Sequence, residues 1–213
     1  DIIVSDVMMP RMNGYELCKT IKEDIAISHI PVILLTAKDD KQSLISGYKN
    51  GADGYLSKPF EVEMLMELIR NRLKNREYTK KRYLNAGLIP TPEESTISLT
   101  DETFLIKLNS IIQENIDNTN LGIQFICQEV GLGRSSLYNK LKALTGMGAN
   151  EYISKLRIEK AITLISGTDM PFSEIAEKTG FTTPSYFSTT FKQYTGETPS
   201  QYKERKKKGL TDQ

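Results

Sequence analysis

Cysteine and histidine are almost missing from this 213-residue chain: it holds two cysteines, Cys18 and Cys127, and one histidine, His29. The cysteines sit far apart at apolar helical positions, and His29 has no Cys or His neighbour at metal-ligand spacing, which argues against a disulfide framework and against structural zinc. No stretch approaches 18 consecutive apolar residues and no signal peptide opens the chain. A soluble protein of a reducing compartment, the cytoplasm, without membrane contact by this segment, is therefore expected. An initiator methionine is also missing, so the sequence reads as a piece of something longer.

Uniform charge is missing too. Residues 1–74 carry ten Lys/Arg against eleven Asp/Glu, whereas residues 122–208 carry thirteen against eight. The basic excess lies in the half that also contains a duplication. One copy reads Cys127-Gln-Glu-Val-Gly131-Leu132 and then Ser135-Ser-Leu137-Tyr-Asn139-Lys-Leu141; the other reads Ala176-Glu-Lys-Thr-Gly180-Phe181 and then Ser185-Tyr-Phe187-Ser-Thr189-Thr-Phe191. Two short helices crossing near a right angle need a small residue at the crossing, here Cys127 and Ala176, and a tight turn between them. Gly131 and Gly180 can supply the positive φ of that turn. Leu137, Leu141 and Leu144 in one copy, and Phe187, Phe191 and Tyr194 in the other, form an inward stripe at helical spacing. Both copies thus read as helix-turn-helix units of the DNA-reading kind, with a plain helical bundle as the competing reading.

The first 74 residues follow another rhythm. Apolar β-branched runs end in Asp6, Thr36 and Lys58, and helical patterns fill Gly14–Lys22, Gln42–Lys49 and Val62–Lys74, the last placing Met64, Leu65, Leu68, Ile69 and Leu73 on one face. This βαβαβα pattern calls for parallel strands, whose carboxyl ends gather functional groups. A carboxylate, a hydroxyl and an ammonium converging there suit an aspartyl phosphate, with Asp6 as nucleophile and Thr36 and Lys58 holding phosphoryl oxygens. Prolines 90 and 92 with Gly87 break regular structure, which places a linker over 75–100 between domains 1–74 and 101–208. Phe104, Leu105, Leu108, Ile111 and Ile112 mark an amphipathic lead-in helix that either caps the first reading unit or dimerises.

Through Asp6-Val-Met-Met-Pro10-Arg-Met-Asn-Gly14, Leu34-Leu-Thr36-Ala37 and Gly51-Ala-Asp-Gly-Tyr55-Leu-Ser-Lys58-Pro59-Phe60, the first segment resembles the receiver domain of two-component response regulators. The resemblance implies phosphorylation of Asp6 by a histidine kinase domain and a cis Lys58–Pro59 bond. It also implies a switch role for Tyr55, beside which simple packing of that ring stays open. A Mg²⁺ held by Asp6 and the Met8 carbonyl is implied as well. Receivers begin with a strand ending in two acidic residues, followed by a helix and a second strand; this sequence starts on the third strand. The expected fold is therefore α/β, a truncated flavodoxin-like receiver with parallel strands. It is expected to bind Mg²⁺ weakly, to take phosphate poorly, and to expose an apolar edge.

Residues 103–205 resemble the C-terminal domain of the AraC family, at Gly133-Arg-Ser-Ser-Leu-Tyr-Asn-Lys-Leu-Lys142, Ile175-Ala176, Gly180-Phe181, Pro184-Ser-Tyr-Phe187 and Thr198-Pro199-Ser-Gln-Tyr202. That implies an all-α double helix-turn-helix domain in which a rod from about Asn150 to Ser166, ended by Gly167, spaces two reading helices about one turn of DNA apart. The outward candidates for double-stranded DNA are Arg134, Ser135, Ser136, Asn139 and Lys142 in the first unit, and Thr183, Ser185, Ser188, Thr189 and Lys192 in the second. Asn139 suits a bidentate contact to adenine, while the cations suit phosphates. Thr189 stands where the family commonly has Arg, which weakens readout by the second unit. The combination implies a transcription regulator that is not an enzyme and acts as a homodimer on DNA, similar to the C-terminal end of bacterial hybrid two-component systems. Two rivals remain: a phosphorelay protein whose helical half binds protein, and an aspartate-nucleophile phosphatase. The latter needs an acidic residue where this chain has Met8.

Overall fold

The computed structural model describes residues 2–37, 51–86 and 98–209. The helical pattern at Gln42–Lys49 and most of the linker, residues 87–97, lie outside the described residues. Three strands, β1 (Ile3–Asp6), β2 (Val32–Ala37) and β3 (Gly54–Lys58), alternate with helices α1 (Gly14–Glu23) and α2 (Val62–Ala86). Then come α3 (Leu99–Glu114), α4 (Ile123–Val130), α5 (Arg134–Thr145), α6 (Ala149–Gly167), α7 (Phe172–Lys178), α8 (Pro184–Thr195) and α9 (Pro199–Lys207). The chain divides into two compact units, one formed by Asp1–Ile106 with Leu132–Gly146, the other by Lys107–Gly131 with Met147–Gln213.

In the first unit the strands pair in parallel in the order β1-β2-β3, with Asp6 opposite Leu35 and Ala37 opposite Lys58. Continuous apolar runs suit a sheet covered on its faces, and Val32, Ile33 and Leu34 are fully buried. Cys18 and Ile21 of α1 pack with Val32 and Leu34, and Tyr55 lies against this cluster. An Asn13–Glu16 capping box starts α1, two reciprocal hydrogen bonds of 2.9 and 3.1 Å. Gly14 is required by close approach: a Cβ there would lie 2.4 Å from the Asp6 carbonyl oxygen. Among the described residues β1 is an edge strand, and Val4 is 38% exposed, as expected of an apolar edge.

Helix α2 departs from its expected face. Leu65, Leu68 and Ile69 are half-buried, but Met64 and Leu73 are exposed. A narrow seam explains this, since α2 meets the sheet where Leu68 closes over Gly54 at the start of β3. The helix also continues past Lys74 to Ala86 and packs against α5.

In the second unit α6 is a 19-residue rod, about 28 Å long at 1.5 Å per residue. It ends at Gly167, though not through a left-handed glycine: Thr168 takes extended backbone, and its N–H and hydroxyl both donate to the Leu164 carbonyl. Around the rod, Ile158, Ala161 and Ile165 meet Ile175, Ala176, Phe181, Phe187, Phe191 and Tyr202. The aromatic rings pass contact along the core, with centroids 5.3 Å apart for Phe181–Phe187, 5.7 Å for Phe187–Phe191 and 5.6 Å for Phe191–Tyr202.

Candidate functional site

At the carboxyl end of the sheet, Asp6 closes β1 and Lys58 closes β3, and the Lys58 ammonium reaches across β2 to pair with Asp6 Oδ2. Asp6 Oδ1 accepts the Met8 N–H at 3.0 Å. The Lys58 hydrogen bond, and after it the Met8 N–H, hold the Asp6 carboxyl below its ordinary value. Thr36, buried, is the penultimate residue of the strand between them. The sheet therefore brings three of the expected residues to one end, while Tyr55, three residues before Lys58, packs inward from β3 against the cluster of Cys18, Ile21, Val32 and Leu34. The Lys58–Pro59 bond is cis, as the resemblance implied. Arg11, in the loop that follows Asp6, is the one non-glycine residue with positive φ among those described, at 74°.

Receiver domains generally bind Mg²⁺. The donors here do not fit a resident divalent cation by themselves: Asp6 is a single carboxylate already engaged by Lys58, and no cluster of three His, Cys, Asp or Glu occurs among the described residues.

The helix-turn-helix signatures become two matching turns. Gly131 ends α4 with φ 71°, and Gly180 follows α7 with φ 73°, the left-handed conformation that the turns require. Gly146 and Gly196 repeat it at the ends of α5 and α8, with φ 77° and 82°. On α5, Leu137, Leu141 and Leu144 are buried, while Arg134, Ser135, Asn139 and Lys142 are exposed and Ser136 is half-buried. On α8, Phe187 and Phe191 are buried, Ser185, Thr189 and Lys192 are exposed, and Ser188 is half-buried.

Tyr194 leaves the inward stripe. It is 36% exposed and donates its hydroxyl to the Glu151 carbonyl at 2.9 Å. Partial burial, with the Glu151 charge nearby, pushes that hydroxyl up to about 12. The phenol thus keeps its ring against the core and its hydroxyl on an acceptor at the rim.

Two of the second-unit candidates also have local tasks. Thr183 is the N-cap of α8, its hydroxyl accepting the Tyr186 N–H at 3.1 Å, with Pro184 at the first helical turn. Thr189 donates its hydroxyl to the Ser185 carbonyl at 3.1 Å. Two exposed tyrosines on these helices escaped the sequence reading, Tyr138 at 54% and Tyr186 at 53%. An aromatic at an outward helical position was the signal that could have found them.

Helix α5 is anchored by a cation to which the sequence reading gave no role. Lys140 is completely buried, pairs with Asp101 of α3, and donates to Ser28 Oγ at 2.7 Å. Ser28 in turn donates to the same Asp101 oxygen at 2.7 Å. The Phe104 ring lies 5.0 Å from the ammonium. On the lead-in helix, Phe104, Leu105, Leu108, Ile111 and Ile112 are all buried.

Residues 1–70 match the family described as response regulator receiver domain, and residues 126–205 that described as helix-turn-helix domain. A protein of Formosa agariphila named histidine kinase P4 is 43% identical over 204 residues, which cover 96% of this chain and 15% of that protein's length. The probable transcriptional regulator ycf29 of Pyropia yezoensis is 32% identical over 162 residues, 71% of this chain and 73% of its own. Among solved structures, the C-terminal domain of AraT, a response regulator from Geobacillus stearothermophilus, is 29% identical, covers 52% of this chain and 88% of that one, and has a TM-score of 0.46. The chain belongs to the response regulators, with a receiver domain followed by an AraC-type helix-turn-helix domain. No helix among the described residues is long and apolar enough to cross a membrane.

Proposed function

We propose that this chain is a sequence-specific, DNA-binding transcription regulator controlled by phosphorylation of Asp6, working in the cytoplasm and pairing with a second copy on tandem DNA sites. The repeated turn carries the reading: two left-handed glycines, each leading into a helix with an apolar inner stripe and an outer face of hydroxyls, an amide and cations. In this scheme residues 1–74 receive the signal, 75–100 link, and 101–208 read DNA. Asn139, Ser135 and Ser136 of α5 face base edges, as do Ser185, Ser188 and Thr189 of α8, while Arg134, Lys142 and Lys192 grip phosphates and set register. Tyr138 and Tyr186 add apolar and hydroxyl contacts at the groove wall.

On the signalling side, a histidine kinase domain supplies a phosphohistidine. An Asp6 carboxylate oxygen attacks its phosphorus, the N–P bond breaks, and the imidazole leaves as the acyl phosphate forms. Lys58 moves from the carboxylate to a phosphoryl oxygen, and Thr36 donates its hydroxyl to another.

The test is selection of bound duplexes from a random DNA pool, followed by titration of Asn139→Ala and Ser185→Ala on the selected site. A residue that reads a base loses about 1–3 kcal/mol and relaxes preference at one position. Failure to enrich any sequence, with no duplex bound at low salt, refutes the reading.

A further inference from the structure

The first compact unit places α2 against α5 and leaves a cleft of about 400 Å³ beside the outer face of α5. Asn139 and Lys142 line it from α5, Arg76 and Lys80 from α2, and Ile27 and His29 from the loop before β2. Three cations enter this cleft and none of its lining residues is a carboxylate. The one acidic residue in the second half of α2, Glu77, is paired with Lys80 at 2.6 Å, and its charge, with that of Asp101, also acts on Arg76. Residues 75–86 as a whole carry four Lys/Arg against that single acid. The basic character therefore continues from the reading helix onto a helix of the strand-bearing segment, while Asn139 and Lys142 stay exposed.

We propose that Arg76 and Lys80 of α2 bind the sugar–phosphate backbone bordering the groove that α5 reads, so that the helix leading out of the receiver takes a direct share in holding DNA. The inference rests on the DNA-reading role of α5. A major groove about 12 Å wide puts a phosphate strand on either side of an inserted helix, and a neighbouring helix with spaced cations meets one of those strands. Such contacts carry no sequence information; they add affinity to every duplex and are released by salt.

The experiment uses the full chain and measures its dissociation constant for the selected duplex and for a random duplex over a range of salt. In the Arg76→Gln/Lys80→Gln double variant, the loss of two phosphate contacts lowers the slope of log K against log salt by about 1.8 and weakens both duplexes by the same factor, roughly tenfold at low salt. Arg76→Lys, which keeps the charge, retains most of the slope and controls for any effect of Arg76 on folding. Arg70→Gln, on the same helix but paired with Glu67 outside the cleft, changes neither quantity. An unchanged slope in a folded double variant overturns the inference while DNA binding by the chain stands. Tighter binding overturns it too, because the cleft would then oppose DNA. A parent chain that binds no duplex removes the DNA-reading role and this inference together.

Discussion

Lys140 is paired with Asp101 where solvent does not reach, with side chains 0% and 5% exposed. One ion pair thus fastens the first reading helix to the lead-in helix, and Ser28 completes it with two hydrogen bonds of 2.7 Å. A buried pair is worth little over apolar replacements of equal size, but breaking it from one side leaves a bare charge. Asp101→Asn and Lys140→Met are therefore each expected to destabilise the chain by about 3–5 kcal/mol, and the apolar double replacement Asp101→Leu/Lys140→Met by clearly less. Burial pulls the Lys140 ammonium below its ordinary value, and Asp101 pulls it back up. Without Asp101 the amine sheds its proton more readily on folding, so the deficit of Asp101→Asn shrinks as pH rises above neutrality. Urea midpoints at pH 7 and pH 9 check both statements; a double replacement as costly as either single substitution, or a deficit of Asp101→Asn that does not shrink with pH, would contradict them.

Gly131 and Gly180 share a backbone conformation, yet substitution by alanine should cost them differently. A Cβ at Gly131 meets nothing within 4 Å. At Gly180 it would lie 2.2 Å from the Ile116 carbonyl oxygen and 2.7 Å from Arg157 Nη2. That guanidinium is itself fixed, donating to the Asn118 carbonyl at 2.7 Å and the Ile116 carbonyl at 3.2 Å. Gly131→Ala should cost the left-handed penalty alone, about 1–2 kcal/mol. Gly180→Ala should cost clearly more and loosen the 116–118 turn. Thermal unfolding of the two variants decides it, and similar melting temperatures would count against the Gly180 packing described here.

His29 gives the chain a specific acid sensitivity. Burial first, then the Lys140 and Arg76 charges, hold its imidazole down from 6.5 to about 4. A depressed folded value means that the unfolded chain takes up the proton first. The stability that neutral His29 supports is thus complete above about pH 6.5 and is lost as pH falls towards about 4, where the folded state also protonates. Between those limits the slope approaches about 1.4 kcal/mol per pH unit from this group. His29→Gln should remove that part of the slope; a variant as acid-sensitive as the parent would show that the loss arises elsewhere.

The parts legible in the sequence were those where the backbone demands a residue type. Only glycine takes a left-handed turn cheaply, and a helix must bury one side, so Gly131, Gly180, Leu137, Leu141, Phe187 and Phe191 could be placed. Strand ends likewise fixed Asp6, Thr36 and Lys58. Hidden were choices made by tertiary partners. Lys140 lies outside the outward set, but nothing in the sequence names its partner until Asp101, 39 positions earlier, is folded against it. Tyr194 fits the apolar stripe by spacing, but its hydroxyl needs an acceptor and draws it to the rim. Met64 and Leu73 follow the helical period of α2, yet that helix touches the sheet along a narrower seam than the period suggests.

The paired state of Asp6 sets what a phosphodonor can do. An incoming phosphoryl group must part Asp6 Oδ2 from Lys58, and the single carboxylate offers little to gather a cation that would offset the added charge. Incubation of this chain with a small-molecule phosphodonor and Mg²⁺ is therefore expected to label Asp6 well below one phosphate per chain, and Asp6→Asn not at all. Lys58→Ala discriminates further. It frees the carboxylate but removes the group that pairs with the phosphoryl oxygen, so labelling should fall rather than rise if stabilisation of the product outweighs release of the nucleophile. Phosphate incorporation measured by intact mass gives the answer directly, and stoichiometric labelling of the parent chain would show that Asp6 and Lys58 suffice as they stand.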